Sequence, residues 1–219
     1  MNSIPIVNQQ LENILNNFKD ELLSKDLSIL EFDKSKKDEN DYHYFCSEDR
    51  LNNLKNKIIG QSADARCVGL EKTKLSGLNS QLNTNLAEWD NQQGYIVAKP
   101  RFVSVRKKMF DTNALSAVYP ANGYMSWHTN ADAPGYNVLL TWSETGNGFF
   151  KYQDPITKEI VTMPDKPGWN CKVGYFGSYN ETDKIFWHCC GTAELRITVA
   201  WIFPTLEASL SFQNKIRQP

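Results

Sequence analysis

Between Leu115 and Phe203 the sequence is a series of short apolar and aromatic segments, each cut by a turn signal, and this rhythm constrains the fold more than any other feature. The signals are Asn122-Gly123, Pro134-Gly135, Gly146-Asn147-Gly148, Asp154-Pro155, Lys166-Pro167-Gly168 and Cys190-Gly191. Glycine and asparagine supply positive φ, and proline fixes φ while removing an N–H donor, so regular structure stops at each of them. The intervening segments are too short for ordinary helices and are rich in β-branched and aromatic residues, which marks them as strands. The pattern predicts strands at Tyr95–Val105, Leu115–Tyr119, Met125–His128, Tyr136–Trp142, Gly148–Gln153, Glu159–Thr162, Trp169–Phe176, Phe186–Cys189 and Leu195–Phe203. So many short strands indicate a β-sandwich or barrel.

The front of the chain has a different period. Val7, Leu11, Ile14, Leu15, Phe18 and Leu22 recur at helical spacing and predict a helix over Ile6–Lys25. The charged stretch Asp33–Asp41 reads as a loop. Ser47 is placed to cap a second helix that carries Leu51, Leu54 and Ile58 and ends near Gly60. Helices first and strands after predict an α+β, mainly β fold, a double-stranded β-helix (jelly-roll) with the N-terminal helices packed on one face. The expected organisation is a helical segment over residues 1–70, the barrel over 71–205 and a C-terminal tail over 206–219. From Ala208 that tail is polar, an arm that orders on a partner or a frayed end.

Lysine and arginine number 24 against 25 acidic residues, a formal net charge of −1, so no global field draws nucleic acid or an anionic membrane to the chain. The local run Arg101, Arg106, Lys107 and Lys108 reads as a solvated strand edge. No apolar run reaches the ~20 residues that a membrane-spanning helix needs. The N-terminus lacks the pattern of a secretory signal, and the five cysteines have no Cys-x-x-Cys spacing. A cytoplasmic setting is the expectation, with neither disulfide framework nor zinc knuckle.

Only three histidines are present. His43 sits in Asp-Tyr-His-Tyr-Phe with no companion motif and reads as a surface or core histidine. His128 and His188 each end a predicted strand segment and each follow a tryptophan. Arg196 and Thr198 lie two apart on the last strand, where the period of two puts them on one face. A non-haem iron site needs a facial set of protein ligands that leaves positions open, and a dicarboxylate needs a buried cation, best a bidentate arginine. His128, His188 and the Arg196–Thr198 pair occur in that order.

Tyr119-Pro120-Ala121-Asn122-Gly123, then Trp127-His128-Thr129-Asn130, His188, and Arg196 through Phe203 resemble the prolyl-hydroxylase-type branch of the Fe(II)/2-oxoglutarate-dependent dioxygenases. Residues 148–203 also resemble oxygenase-like proteins of tailed phages from marine bacteria. The likeness covers about the last half of the chain. It implies Fe(II) as cofactor and 2-oxoglutarate as co-substrate, whose decarboxylation accompanies hydroxylation of a C–H bond. By the same resemblance His128, Asn130 and His188 would hold the metal, and Arg196, Thr198 and Tyr119 would contact 2-oxoglutarate. The substrate would be a protein, a nucleobase or a small molecule, and a viral origin would make the host cytoplasm the setting.

Asn130 departs from that pattern, because the place two after the first histidine carries Asp or Glu in the family. Three readings stay open: Asn130 ligates through its amide oxygen, Asp132 swings in from the turn, or water or an anion fills the place. Two rival functions also stand. One is a jelly roll that is catalytically weak or inactive and serves as a binding or structural component, for example of a phage. The other is a cupin-type metal enzyme that does not use 2-oxoglutarate. The segment Glu71–Thr112 and the loop Gly177–Lys184 would form the substrate lip. Trp127, Trp142, Trp169, Trp187 and Trp201 are expected to pack core and rim.

Overall fold

The computed structural model describes residues 1–29, 41–56, 64–92, 115–130 and 133–219. Strand β1 (Asn2–Ile4) and helix α1 (Gln9–Leu23) open the chain, followed by α2 (Asp41–Phe45) and α3 (Glu48–Lys55). Short strands β2 (Ala65–Arg66) and β3 (Val68–Gly69) precede helix α4 (Ser76–Gln92). Eight strands then follow: β4 (Leu115–Tyr119), β5 (Tyr124–His128), β6 (Gly135–Ser143), β7 (Gly148–Gln153), β8 (Ile160–Pro164), β9 (Gly168–Phe176), β10 (His188–Thr192) and β11 (Arg196–Phe203). Helix α5 (Leu206–Arg217) closes the chain.

One sheet runs β1-β9-β6-β11-β4-β3 and the other β2-β5-β10-β7-β8, with every pairing antiparallel. Numbered within β4–β11, the orders are six-three-eight-one and two-seven-four-five. The chain thus crosses between facing sheets at almost every turn, and this strand order defines a jelly roll. The fold class is as the sequence suggested. Asn122, at φ 60°, turns β4 into β5, and the Gly123 N–H bonds Pro120 O at 2.8 Å. A Cβ on Gly123 would lie 2.7 Å from that same carbonyl oxygen, so the close approach requires glycine.

Alternation sorts the strands' side chains into layers. Val138, Leu140, Ile197, Val199 and Trp201 point outward from the first sheet and bury Leu11, Leu15, Phe18, Leu22, Leu82, Leu86, Trp89 and Phe212. Trp127, Trp187 and Cys189 point outward from the second sheet and meet Leu51 and Leu54 of α3. The helices therefore cover both outer faces of the barrel, α1, α4 and α5 on one and α2 and α3 on the other, where the sequence suggested one face. Tyr119, Phe150, Tyr152, Phe176 and Cys190 face the interior. Cys189 and Cys190 are both buried, one in each layer, and all five cysteines are free.

Local signals explain the helix ends. Asn8 caps α1 by accepting the Leu11 N–H at 2.9 Å, and it also accepts from the Trp89 indole at 2.9 Å, tying α4 to the start of α1. Ser47 caps α3 through the Arg50 N–H, as its position suggested. Residues 206–219 are not a frayed arm: α5 is capped by Thr205 and buries Phe212 among Trp89, Trp201 and Phe203, while Lys215 pairs with Asp90 of α4. The expected strand Tyr95–Val105, most of Asp33–Asp41, the helix end near Gly60 and the basic run from Arg101 to Lys108 lie outside the described residues. Among the described residues no helix is long and apolar enough to cross a membrane.

Candidate metal and anion site

A cavity of about 190 Å³ lies between the two sheets, and His128, Asn130, His188, Tyr119, Arg196 and Thr198 all line it. All six residues singled out from the sequence thus meet in one space. Asp132 lies outside the described residues. His43 is exposed on α2 with its ring against Tyr42, and it does not line the cavity.

At one end His128, the last residue of β5, and His188, the first of β10, are register partners, with ring centroids 4.1 Å apart. Each ring turns back on its own strand: His128 Nδ1 lies 2.8 Å from Ser126 O and His188 Nδ1 3.0 Å from Phe186 O. A carbonyl oxygen only accepts, so each Nδ1 carries the proton and each Nε2 keeps its lone pair. Burial pushes the His128 pKa down against the opposing effect of the Ser126 bond. Burial, and then the neighbouring His128, push that of His188 well below the usual histidine value. Two neutral imidazoles result, with carbonyl partners fixing their orientation, and metal-binding histidines are usually backed in this way. Phe176, Phe150 and Phe186 surround His188 at ring distances of 4.5, 5.6 and 5.7 Å and hold its plane.

Asn130 follows the end of β5 by two residues. Its backbone oxygen accepts the Ala133 N–H at 2.9 Å, and the residue borders the same cavity. Among the described residues no group of three or more His, Cys, Asp or Glu is placed to hold a metal. The donor set that could hold a metal here is therefore two imidazoles and one amide. It fits a divalent metal through neutral donors and brings no compensating charge.

The other end is built on Arg196, the first residue of β11. Its Nε donates to Asp165 Oδ2 at 2.7 Å, its Nη1 to Thr198 Oγ1 at 2.8 Å and its Nη2 to Thr141 Oγ1 at 3.4 Å. Thr198 and Thr141 are register partners on adjacent strands, so both side chains lie on the same face of the sheet. The Tyr119 ring lies 5.3 Å from the guanidinium carbon, a cation–π contact. Burial, with Cys190 and Cys67 alongside, keeps the Tyr119 phenol protonated. Asp165 passes its second oxygen to Lys172 Nζ at 2.5 Å. The side chains of Arg196, Lys172 and Asp165 are 3%, 2% and 0% exposed, so all three charges are out of water. Burial opposes ionisation of Asp165, but Arg196 and Lys172 more than offset it and hold the carboxyl below its ordinary range.

Asp165, Lys172 and Thr141 are neighbours in the Arg196 network that the sequence pattern does not single out. Lys172 carried a signal, because a lysine in the middle of a nine-residue strand falls on the inward set with Asn170 and Phe176. Asp165, beside the Lys166-Pro167-Gly168 turn, reads from sequence as one more turn residue.

No protein-family model matches the sequence, and no curated protein matches it. Among solved structures, a Pseudomonas putida prolyl-4-hydroxylase aligns over 92% of this chain and 91% of its own, at 10% identity and a TM-score of 0.40. Drosophila melanogaster CENP-C bound to CAL1 aligns over 44% of this chain at 7% identity and a TM-score of 0.29. A predicted oxalate decarboxylase from Thermotoga maritima aligns over 41% at 13% identity and a TM-score of 0.24. The chain spans 62% and 65% of the length of these last two. At such values the likenesses concern fold alone, and the jelly-roll assignment stands on strand order.

Proposed function

We propose that this chain is an Fe(II)- and 2-oxoglutarate-dependent oxygenase that hydroxylates an unidentified protein, nucleobase or small molecule, with His128, Asn130 and His188 as its protein ligands. The observation that carries the reading is the meeting, in one cavity, of two Nε2 lone pairs with a buried guanidinium. Iron with 2-oxoglutarate, when bound, supplies the activation of O2 and the oxidising power.

The chain supplies binding, orientation and a dry cavity. His128 and His188 need not lose a proton to ligate at neutral pH, since each already presents a free Nε2. Asn130 offers its amide oxygen. Thr198 accepts from Arg196 through Oγ1, so its own hydroxyl hydrogen is left to donate to a carboxylate. Phe150 and Phe176 line the same cavity and exclude water around His188. Because Asn130 carries no charge, the metal would be held less tightly than by a carboxylate.

Anaerobic addition of Fe(II) and 2-oxoglutarate is expected to give a metal-to-ligand charge-transfer band in the visible, and O2 is then expected to yield succinate. No band at saturating iron would sink the reading. The same neutral position supports a second reading, an oxygenase-fold protein with weak or no catalysis that acts as a binding component. Under it, the band would be absent and Asn130→Asp would not restore it.

A further inference from the structure

We infer that Lys172 is a positioning residue for the anion end of the cavity: by holding one oxygen of Asp165 it keeps the Nη edge of Arg196 open and leaves the site one surplus positive charge for a carboxylate. The inference rests on the proposed function only for the identity of that carboxylate.

The first support is the charge balance. Arg196 and Lys172 are two buried cations that share one buried carboxylate, Asp165. Among the described residues no second carboxylate forms an ion pair with either cation, so the trio retains one positive charge. An uncompensated buried charge is strongly unfavourable. An anion entering the cavity would remove that imbalance.

The second support is the count of donors. Guanidinium has five N–H groups. One meets Asp165, one Thr198 and one Thr141, which leaves an N–H on each Nη. A carboxylate beside an arginine tends to take two parallel N–H bonds. Asp165 gives Arg196 only Oδ2, because its Oδ1 is held by Lys172. Without Lys172, the freed oxygen could turn onto the guanidinium, closing the fork and neutralising the pair. Gly148 marks how tightly the carboxylate is seated, since a Cβ there would come 2.6 Å from Asp165 Oδ2.

The test compares wild type, Lys172→Met and the Asp165→Asn/Lys172→Met double variant by titration calorimetry. The probes are glutarate on metal-free protein and 2-oxoglutarate on the Mn(II)-loaded protein. Lys172→Met is expected to weaken both probes by about tenfold or more, the size of one lost charge interaction in a buried site. The double variant, which restores the surplus charge and removes the closing carboxylate, is expected to recover most of that loss. A merely structural lysine would leave the double variant as weak as the single one. Should Lys172→Met not fold, Lys172→Gln is read the same way.

Unchanged affinity in the single variant, no recovery in the double variant, or a wild type that binds neither probe would overturn the inference. The oxygenase reading fails separately. Wild type that binds glutarate through Lys172 but shows no Fe(II)/2-oxoglutarate band would keep this inference and lose that one. A wild-type band with a Lys172-independent affinity would do the reverse.

Discussion

The two ends of the cavity are built on opposite plans. At the Arg196 end Asp165, Thr198 and Thr141 hold the guanidinium, Lys172 holds the other oxygen of Asp165, and the trio carries one positive charge before any ligand arrives. At the histidine end the protein fixes only the backs of the rings, through Ser126 and Phe186, and leaves the Nε2 atoms open. The first end specifies the charge of its ligand. The second specifies direction, and Asn130, which lines the same cavity, brings no charge to it. A site of this kind should recognise its anion with more authority than its metal, and should need the anion to retain the metal.

Breaking the stronger end is expected to give the largest effect. Arg196→Met leaves Asp165 and Lys172 as a neutral pair and removes the fork, so 2-oxoglutarate affinity should fall by more than about a hundredfold, in line with the ~2–5 kcal/mol typical of truncating one buried charged partner. Calorimetry on the Mn(II)-loaded variant checks this. Chemical denaturation should show a loss of about 1–3 kcal/mol, because Asp165 Oδ2 loses a buried hydrogen-bond donor while its charge stays paired with Lys172. An affinity within a few-fold of wild type would show that Arg196 serves the fold alone.

Sharpening the weaker end is expected to give a smaller change. Asn130→Asp adds the carboxylate that the histidine end lacks and should raise Mn(II) affinity by about tenfold, a coupling typical of one added charge near a metal. It should also make that affinity less dependent on 2-oxoglutarate, because the metal no longer relies on the co-substrate for negative charge. Metal content after dialysis measures the first effect, and paired titrations the second. If the Asn130→Asp variant holds no more metal than wild type, the histidine end drops out of the metal-site account.

The same contrast separates what the sequence makes legible from what it hides. The strands from Leu115 onward can be read because turns such as Asn122-Gly123 are local and the segments between them are short, apolar and aromatic. Arg196 and Thr198 follow from period two along one strand, whereas His128 and Asn130 gain their meaning only from the family resemblance. Helix α4 is harder to read: Leu82, Leu86 and Trp89 keep helical spacing, but asparagine and serine between them give the face little contrast. Helix α5 hides for a similar reason, since Leu206 and Leu210 are exposed while Phe212 and Ile216 carry the packing. The Asp165–Lys172–Arg196 trio depends on a turn that brings two strands and a loop together in space. Apart from the lysine on the inward set of β9, nothing in the local pattern of any one segment announces it.

The most direct test of the central claim, that one cavity serves a metal and a dicarboxylate together, is linkage. Mn(II) affinity should be measured by calorimetry with and without saturating 2-oxoglutarate, and 2-oxoglutarate affinity with and without Mn(II). Each ligand is predicted to tighten the other by the same factor, at least about fivefold, as coupling between sites requires. Two affinities that ignore each other would contradict it.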